Sequence, residues 1–337
     1  MTASTTLAQA RRPSTRGVLG SPALRLVGRR LLAAIPVLWG VTLLTFIVVE
    51  ALPGSAAQQL LGPNATPDQV AQLEEQLGTN RPMIERYVDW LGGVVTGDLG
   101  SSLSDQRSVT SVIGSALGVS TELVLLALFV SLALTVPVAL LAARRPGGVM
   151  DRVSMAVSMV GLSVANYVLA LILVLVFAVL LGWLPAIGYV PLSEGLWANL
   201  EPMILPSAAI GLPLFCFYAR FLRGDLVDQM QQEEYVTTAR AKGIGSWQVL
   251  LRHAFRNSSF GLITVVGLNL GALIGGTVII EQIFSAPGVG GYLVTAITNK
   301  DLPVIQGVVV MFVLAFAIIN IAVDIMYGWL NPKVQVA

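Results

Sequence analysis

The chain is predicted to be an all-α, polytopic membrane protein with six transmembrane helices, and three observations carry the prediction. Charged residues make up 12% of its 337 positions, about half the share in soluble chains. The mean hydropathy is +0.77. Several uncharged apolar runs reach the roughly 20 residues that a helix needs to cross the hydrocarbon core. A transmembrane β-barrel would show short alternating segments in place of such runs, so it is excluded.

Residues 1–28 read as a cytoplasmic N-terminal tail and 29–335 as one transmembrane domain, within which 52–118 form an extracytoplasmic insert and 223–259 a cytoplasmic loop. The first span, 31–49, carries no charge for 19 positions. A secretory signal competes here, because arginines precede the run and Ser55-Ala56-Ala57 resembles a cleavage site; the run exceeds the ~7–15 residues of a signal core, which favours a retained span. Further spans follow at 119–142, 153–181, 203–222, 260–280 and 304–329. The third is longer than a bilayer requires and is expected to tilt or to extend past the surface.

Lys and Arg set the orientation. Sixteen of the 20 basic residues fall in the segment before the first span (through Arg29 and Arg30), the 143–152 loop, the 220–256 loop and the C-terminal end. Only Arg81, Arg86, Arg107 and Lys300 fall on the other side, so both termini are expected in the cytoplasm. A formal net charge of +1 supplies no global field for a polyanion, which argues against a nucleic-acid partner. Cys216 is the single cysteine, so disulfide frameworks and multi-cysteine metal sites are excluded.

The insert carries its own helix signals. Thr66-Pro67-Asp68-Gln69 reads as an N-cap, a proline at the first helical position and a Gln at the capping-box position, ahead of Val70, Leu73, Leu77 and Gly78. A second amphipathic helix begins near Pro82, with Met83, Ile84, Tyr87, Val88 and Leu91 apolar, and is expected to end at Gly92-Gly93. The segment reads as a cap on the outer membrane surface, as a docking surface for an extracytoplasmic partner, or as both.

Within the spans, Gly267, Gly271 and Gly275 repeat every four residues, which exposes backbone along one face for close helix approach. Asn166 and Asn269 lie deep in the third and fifth spans, where an amide needs a partner or a water-filled path. They are the candidate translocation-pathway residues.

Catalytic machinery is missing. The only lysines, Lys242, Lys300 and Lys333, precede Gly, Asp and Val, so no GK[ST] phosphate loop can be written. The one histidine, His253, excludes HExxH, and no G-x-S-x-G occurs. Ion-coupled carriers usually hold charged groups near the midplane, whereas every span here is charge-free through its middle. An ion-coupled carrier or channel remains the rival from another class.

The loop after the fourth span is the most informative segment. Glu233 and Glu234 start a short helix, Arg240 and Lys242 end it, and Gly243 suits the left-handed position after its last turn. From Glu234 to Gly243 the helix would be about 13 Å long, with Tyr235, Val236 and Ala239 on an apolar side. It is either an ordinary connector or a compact knob that inserts into a soluble partner.

Glu234-Tyr235-Val236-Thr237-Thr238-Ala239-Arg240-Ala241-Lys242-Gly243, continued by Val249 to Asn257, resembles the EAA coupling loop of ABC-importer permeases in its dipeptide and oligopeptide form. Leu52-Pro53-Gly54, Leu61-Gly62-Pro63, Gly97 to Ser102, Phe284 to Gly288, and Asp324 to Tyr327 ending at Asn331-Pro332-Lys333 resemble the same family in the same order. The coverage runs from about residue 28 to 335, and the long insert is similar to the B-type of the two paired permeases. One departure is visible: where the family has a Leu-Pro pair after the Arg-Asn, this chain has Ser258-Ser259-Phe260-Gly261, and Gly261 is left to supply a bend.

The resemblance implies a type I importer in the plasma (inner) membrane of a bacterium. It implies a second homologous permease, one or two ATP-binding subunits, an extracytoplasmic substrate-binding protein and the lipid bilayer as partners. ATP and Mg would be bound by the partner ATPase, with no cofactor or metal in this chain. Glu234, Ala239 and Gly243 carry over as coupling residues, with Tyr235 and Ala241 beside them on the same segment. Short peptides are the implied substrate, with nickel, glutathione or haem as alternatives on the same architecture.

Overall fold

The computed structural model describes residues 21–51 and 54–330. Most of the basic tail, Leu52-Pro53 and Asn331-Pro332-Lys333 lie outside the described residues. Every regular element that is described is helical. Five helices are long and apolar enough to cross a membrane, and two bent pairs raise the count to as many as seven, which brackets the six expected spans.

The first long helix, α1, runs Ser21–Ala51. The insert then folds as α2 (Ala56–Leu61), α3 (Pro67–Leu77) and α4 (Met83–Thr96). The capping box at the start of α3 forms as read: Thr66 Oγ1 accepts from Gln69 N, and the Gln69 side chain accepts from Thr66 N. Helix α4 corrects the sequence reading, because it continues through Gly92-Gly93 and ends only at left-handed Gly97. The physical reason is the returning chain. Asp98 N donates to Gly93 O at 2.9 Å, and a Cβ on Gly93 would stand 2.7 Å from Asp98 O. The glycine therefore serves a backbone crossing within the helix.

The centre of the molecule is the pair α5 (Val109–Arg144) and α8 (Leu196–Gln232). Leu123, Val124 and Ala127 of α5 meet Met203, Leu205, Ala209 and Ile210 of α8 in one buried cluster. Gly211 permits this approach, since a Cβ there would lie 2.7 Å from Ala127 O; small residues in a helix seam let backbones come together.

The third expected span is two elements. Helix α6 (Val149–Ser163) and helix α7 (Asn166–Leu173), which continues as a π-helical stretch to Leu180, meet at 102°. Val164 and Ala165 are extended at the bend. No proline marks this break, which is why the apolar run reads as continuous. Packing locates it: Gly161, just before the bend, sits against α8 so closely that a Cβ would collide with Cys216 Sγ.

After α8 come α9 (Glu234–Ala241), α10 (Ser246–Val249), a π-helical stretch Leu250–Ala254, and α11 (Phe255–Gly276). The helix passes Gly261 unbroken, so the irregularity expected there lies upstream at Leu250–Ala254. The glycine seam of α11 meets the last helix, α14 (Leu302–Leu330). A Cβ on Gly267 would stand 2.6 Å from Val323 Cγ2, and one on Gly271 2.7 Å from Phe316 Cδ2. Gly275 has nothing within 4 Å and lines an apolar groove instead.

Between α11 and α14, α12 (Val278–Phe284) and α13 (Val289–Asn299) bend by 86°. Glu281 of α12 is fully buried at this corner. Its Oε1 accepts from Ser120 Oγ at 2.7 Å and Thr277 Oγ1 at 2.8 Å, and its Oε2 from Gly290 N at 2.7 Å and Gly291 N at 3.1 Å. The carboxylate thus closes the first turn of α13, where unpaired N–H groups and the positive end of the helix dipole favour an anion. On the same side, buried Asp301 accepts from Ser102 Oγ at 2.6 Å and Ser104 N at 3.1 Å, fastening the 97–102 motif to the start of α14. In the adjoining turn burial pushes the Asp105 carboxyl up, but bonds from the Arg107 side chain and backbone hold it below the ordinary carboxylate value.

Candidate functional site: the loop between α8 and α11

Helix α8 has 37 residues, about 55 Å of rise. That is far more than the ~30 Å of a hydrocarbon core, so the helix projects from the bilayer. It stops where Glu233 turns extended (φ −88°, ψ 128°), and one residue later α9 begins in a new direction. Glu234 lies in the first turn of α9 and Arg240 in its last, complementing the dipole as expected. At the far end Gly243 adopts φ 79°. Gly243 N donates to Arg240 O at 2.9 Å and Ile244 N to Ala239 O at 3.2 Å, which is the paired bonding of a Schellman stop.

The helix has two faces with separate tasks. Val236 and Ala239 are buried against Val249, with Met230, Tyr235 and Ile244 around them. Glu234, Thr237, Thr238 and Ala241 are exposed, at the i, i+3, i+4 and i+7 positions of one stripe. This revises the sequence reading of the apolar side, which the chain covers with its own residues. Of the five residues expected to couple, Glu234 and Ala241 stand on the outward stripe, and Gly243 is exposed at its end. Ala239 faces inward. Tyr235 is half-buried, donates its hydroxyl to Gln229 Oε1, and lies with its ring 6.4 Å from His253.

The loop is seated on a firm base. Leu222, Leu226 and Val227 of α8 form one buried cluster with Ala139, Leu140 and Ala143 of α5 and with Leu250 and Ala254. The Arg144 guanidinium lies 5.5 Å from the Trp247 ring centre, which ties α10 to the end of α5. Asp151, at the start of α6, accepts two bonds from Arg223 of α8, both 2.7 Å, and a third from Gly147 N at 2.7 Å. A push on the outward face of α9 therefore meets α5, α6 and α8 together.

The two asparagines do not come together with this loop. Asn166 is exposed as the first residue of α7, at the bend. Asn269 is half-buried and returns its amide to Val265 O at 3.0 Å, one turn back in its own helix. Among the described residues no three His, Cys, Asp or Glu side chains gather as a metal site.

Sequence reasoning missed Glu281, Asp151 and Arg223. A signal existed for Glu281, an acid within the apolar stretch Val278–Phe284 shortly before a glycine-rich turn. Asp151 and Arg223 are separated by 72 positions, and only the folded chain reveals the pair.

Two family models match the chain. One, described as "Binding-protein-dependent transport system inner membrane component", matches residues 135–336. The other, "Binding-prot-dependent transport system membrane comp, N-term", matches residues 23–138. A putative peptide transport system permease protein of Brucella abortus (strain 2308) is 36% identical over 310 residues, 92% of this chain and 98% of the relative. The dipeptide transport system permease protein DppB of Alkalihalophilus pseudofirmus is 35% identical over 327 residues, 91% of this chain and 98% of the relative. The glutathione transport system permease protein GsiC of Escherichia coli O6:H1 is 34% identical over 312 residues, 93% and 99% respectively. The chain belongs to the family of inner-membrane components of binding-protein-dependent transport systems.

Proposed function

We propose that this chain is the permease subunit of an ATP-driven importer for di- and oligopeptides. It forms half of the translocation pathway beside a second homologous permease. The partners are one or two ATP-binding subunits, which carry the ATP and Mg, and an extracytoplasmic binding protein that delivers the substrate. The observation that carries the reading is α9: an eight-residue helix, fixed on its inner face, with a free outward stripe. A helix of this kind transmits the movement of a docked ATPase as a rigid body, which coupling at a distance requires. Glu234, Ala241 and Gly243 meet the ATPase, while Tyr235 and Ala239 set the helix on its base. Asn166 and Asn269 are the polar points along the pathway.

Sidedness follows from the same end of the molecule. The positive-inside count supports the reading that this end faces the cytoplasm, with both termini: Arg144 lies over Trp247 of α10, and Arg240 and Lys242 lie at the end of α9. The names of the relatives favour peptides. GsiC favours a second reading, glutathione, itself a short peptide.

The test is uptake of labelled dipeptide into proteoliposomes that hold the chain with its partner subunits, with unlabelled glutathione as competitor. ATP-dependent uptake that disappears when the ATPase is omitted is expected. Uptake by this chain alone, driven by an ion gradient, would overturn the importer reading.

A further inference from the structure

The insert helix α4 has an apolar arc wider than the chain itself covers. Tyr87, Trp90 and Leu91 pack inward with Phe46 and Leu302. Ile84, Val88 and Val95, at i, i+4 and i+11 on an adjoining face, are 78%, 59% and 84% exposed. The charges occupy the other side and are paired there: Arg81 bridges Glu85 at 3.4 Å and Asp89 at 2.8 Å.

The level of α4 identifies what covers the stripe. Tyr87 packs edge-on to Phe46 with ring centres 5.5 Å apart, and Phe46 lies five residues inside the Ala51 end of α1, about 7.5 Å of rise. The Tyr87 hydroxyl reaches further, to Thr42 Oγ1 at 3.0 Å, near the midpoint of the apolar Leu32–Ala51 segment. Arg86 meets Glu50 at 3.2 Å, one turn nearer the end. The same cluster includes Leu302, the first residue of the α14 span. Helix α4 thus lies level with the terminal turns of two membrane spans. A helix at that depth, with paired charges on one side and uncovered Ile and Val on another, has the form of an interfacial helix.

We propose that α4 lies in the membrane interface, with Ile84, Val88 and Val95 inserted among the phospholipid acyl chains of the leaflet at the Ala51 end of α1. The inference rests on the chain spanning a membrane and is independent of what it transports. The bilayer completes the apolar arc and holds the insert in place. A soluble binding protein would fit the stripe only where the stripe stands above the lipid, and the contacts with Phe46 and Thr42 place it lower; burial against the second permease would instead close the stripe to oxygen as well as to nickel, and that outcome also overturns the proposal.

Nitroxide labels at single cysteines test the proposal in the complete complex in lipid nanodiscs, with no transport required. The native Cys216 is buried and stays unlabelled. Ile84→Cys, Val88→Cys and Val95→Cys are expected to favour oxygen over a water-soluble nickel relaxant by several-fold more than Glu85→Cys and Asp89→Cys. Equal, water-like accessibility at all five positions overturns the proposal. So does nickel accessibility at 84, 88 and 95 that is lost only on adding binding protein, which would make the stripe a protein-docking face. Uptake remains a separate measurement, so failure here leaves the importer reading standing.

Discussion

Helices α9 and α13 are both short, both follow a sharp change of chain direction, and both rest on the α5–α8 body, yet their first turns are closed in opposite ways. The first turn of α13 receives a fully buried carboxylate from the preceding helix, with four bonds of 2.7 to 3.1 Å. The first turn of α9 holds its own exposed Glu234, and Glu233 gives it no side-chain cap. Directional bonds out of water tolerate little displacement, because each broken one leaves an unpaired group. Apolar contact on one face tolerates reorientation and leaves the other face available. The difference marks α13 as a fixture and leaves α9 the free face that the proposed docking requires.

The largest effect is expected at the fixture. Glu281→Leu would leave two hydroxyls and two N–H groups facing an apolar side chain, and each buried group left unpaired costs about 1–3 kcal/mol. The variant should fail to accumulate in the membrane, and Glu281→Gln should accumulate to an intermediate level, both read by immunoblot. Normal abundance of Glu281→Leu would break the comparison at its stronger end. Asp151→Ala is next: removing one partner from a buried ion pair costs about 3–5 kcal/mol, moderated here because the Arg223 side chain is 23% exposed. Its thermal melting point in detergent should fall clearly below wild type, and an unchanged value would mean that the pair does not anchor α6 to α8.

Substitution at Gly243 sharpens the other end. Nothing lies within 4 Å of a Cβ built there, so its φ of 79° is the only local obstacle. Gly243→Val should cost about 1–2 kcal/mol for the left-handed conformation and loosen the stop of α9, lowering uptake at normal abundance. Asn adopts that conformation more readily, so Gly243→Asn should retain most uptake. Equal behaviour of the two variants would show that the stop plays no part. Trp247→Leu is expected to have the smallest effect, about 0.5–1 kcal/mol from the exposed cation–π contact, visible as a small shift in melting with uptake near wild type.

Much of this was legible in the residues. The cap of α3 and the left-handed stop at Gly243 depend on neighbours in the chain, and they form as read. What depends on distant neighbours was hidden. The break at Val164 and Ala165 follows from how α6 packs against Cys216, and the passage of α4 through Gly92-Gly93 follows from the return of Asp98. The EAA-like segment was recognisable as a motif, but which of its residues face outward depends on Val249 and Ile244 covering Val236 and Ala239. For the same reason the sequence did not show that Ala239, carried over as a coupling residue, is buried on the inner face of α9.

The central claim is that the outward stripe of α9 is where an ATPase docks, and Ala241→Glu tests it most directly. Ala241 is exposed, and glutamate is a good helix former, so the substitution adds bulk and charge to the stripe without disturbing the inner face. Co-purification of the ATPase subunits with this variant, measured beside its membrane abundance and peptide uptake, should be lost together with uptake while abundance stays at the wild-type level. Wild-type co-purification and uptake in Ala241→Glu would contradict the claim and reduce α9 to a connector.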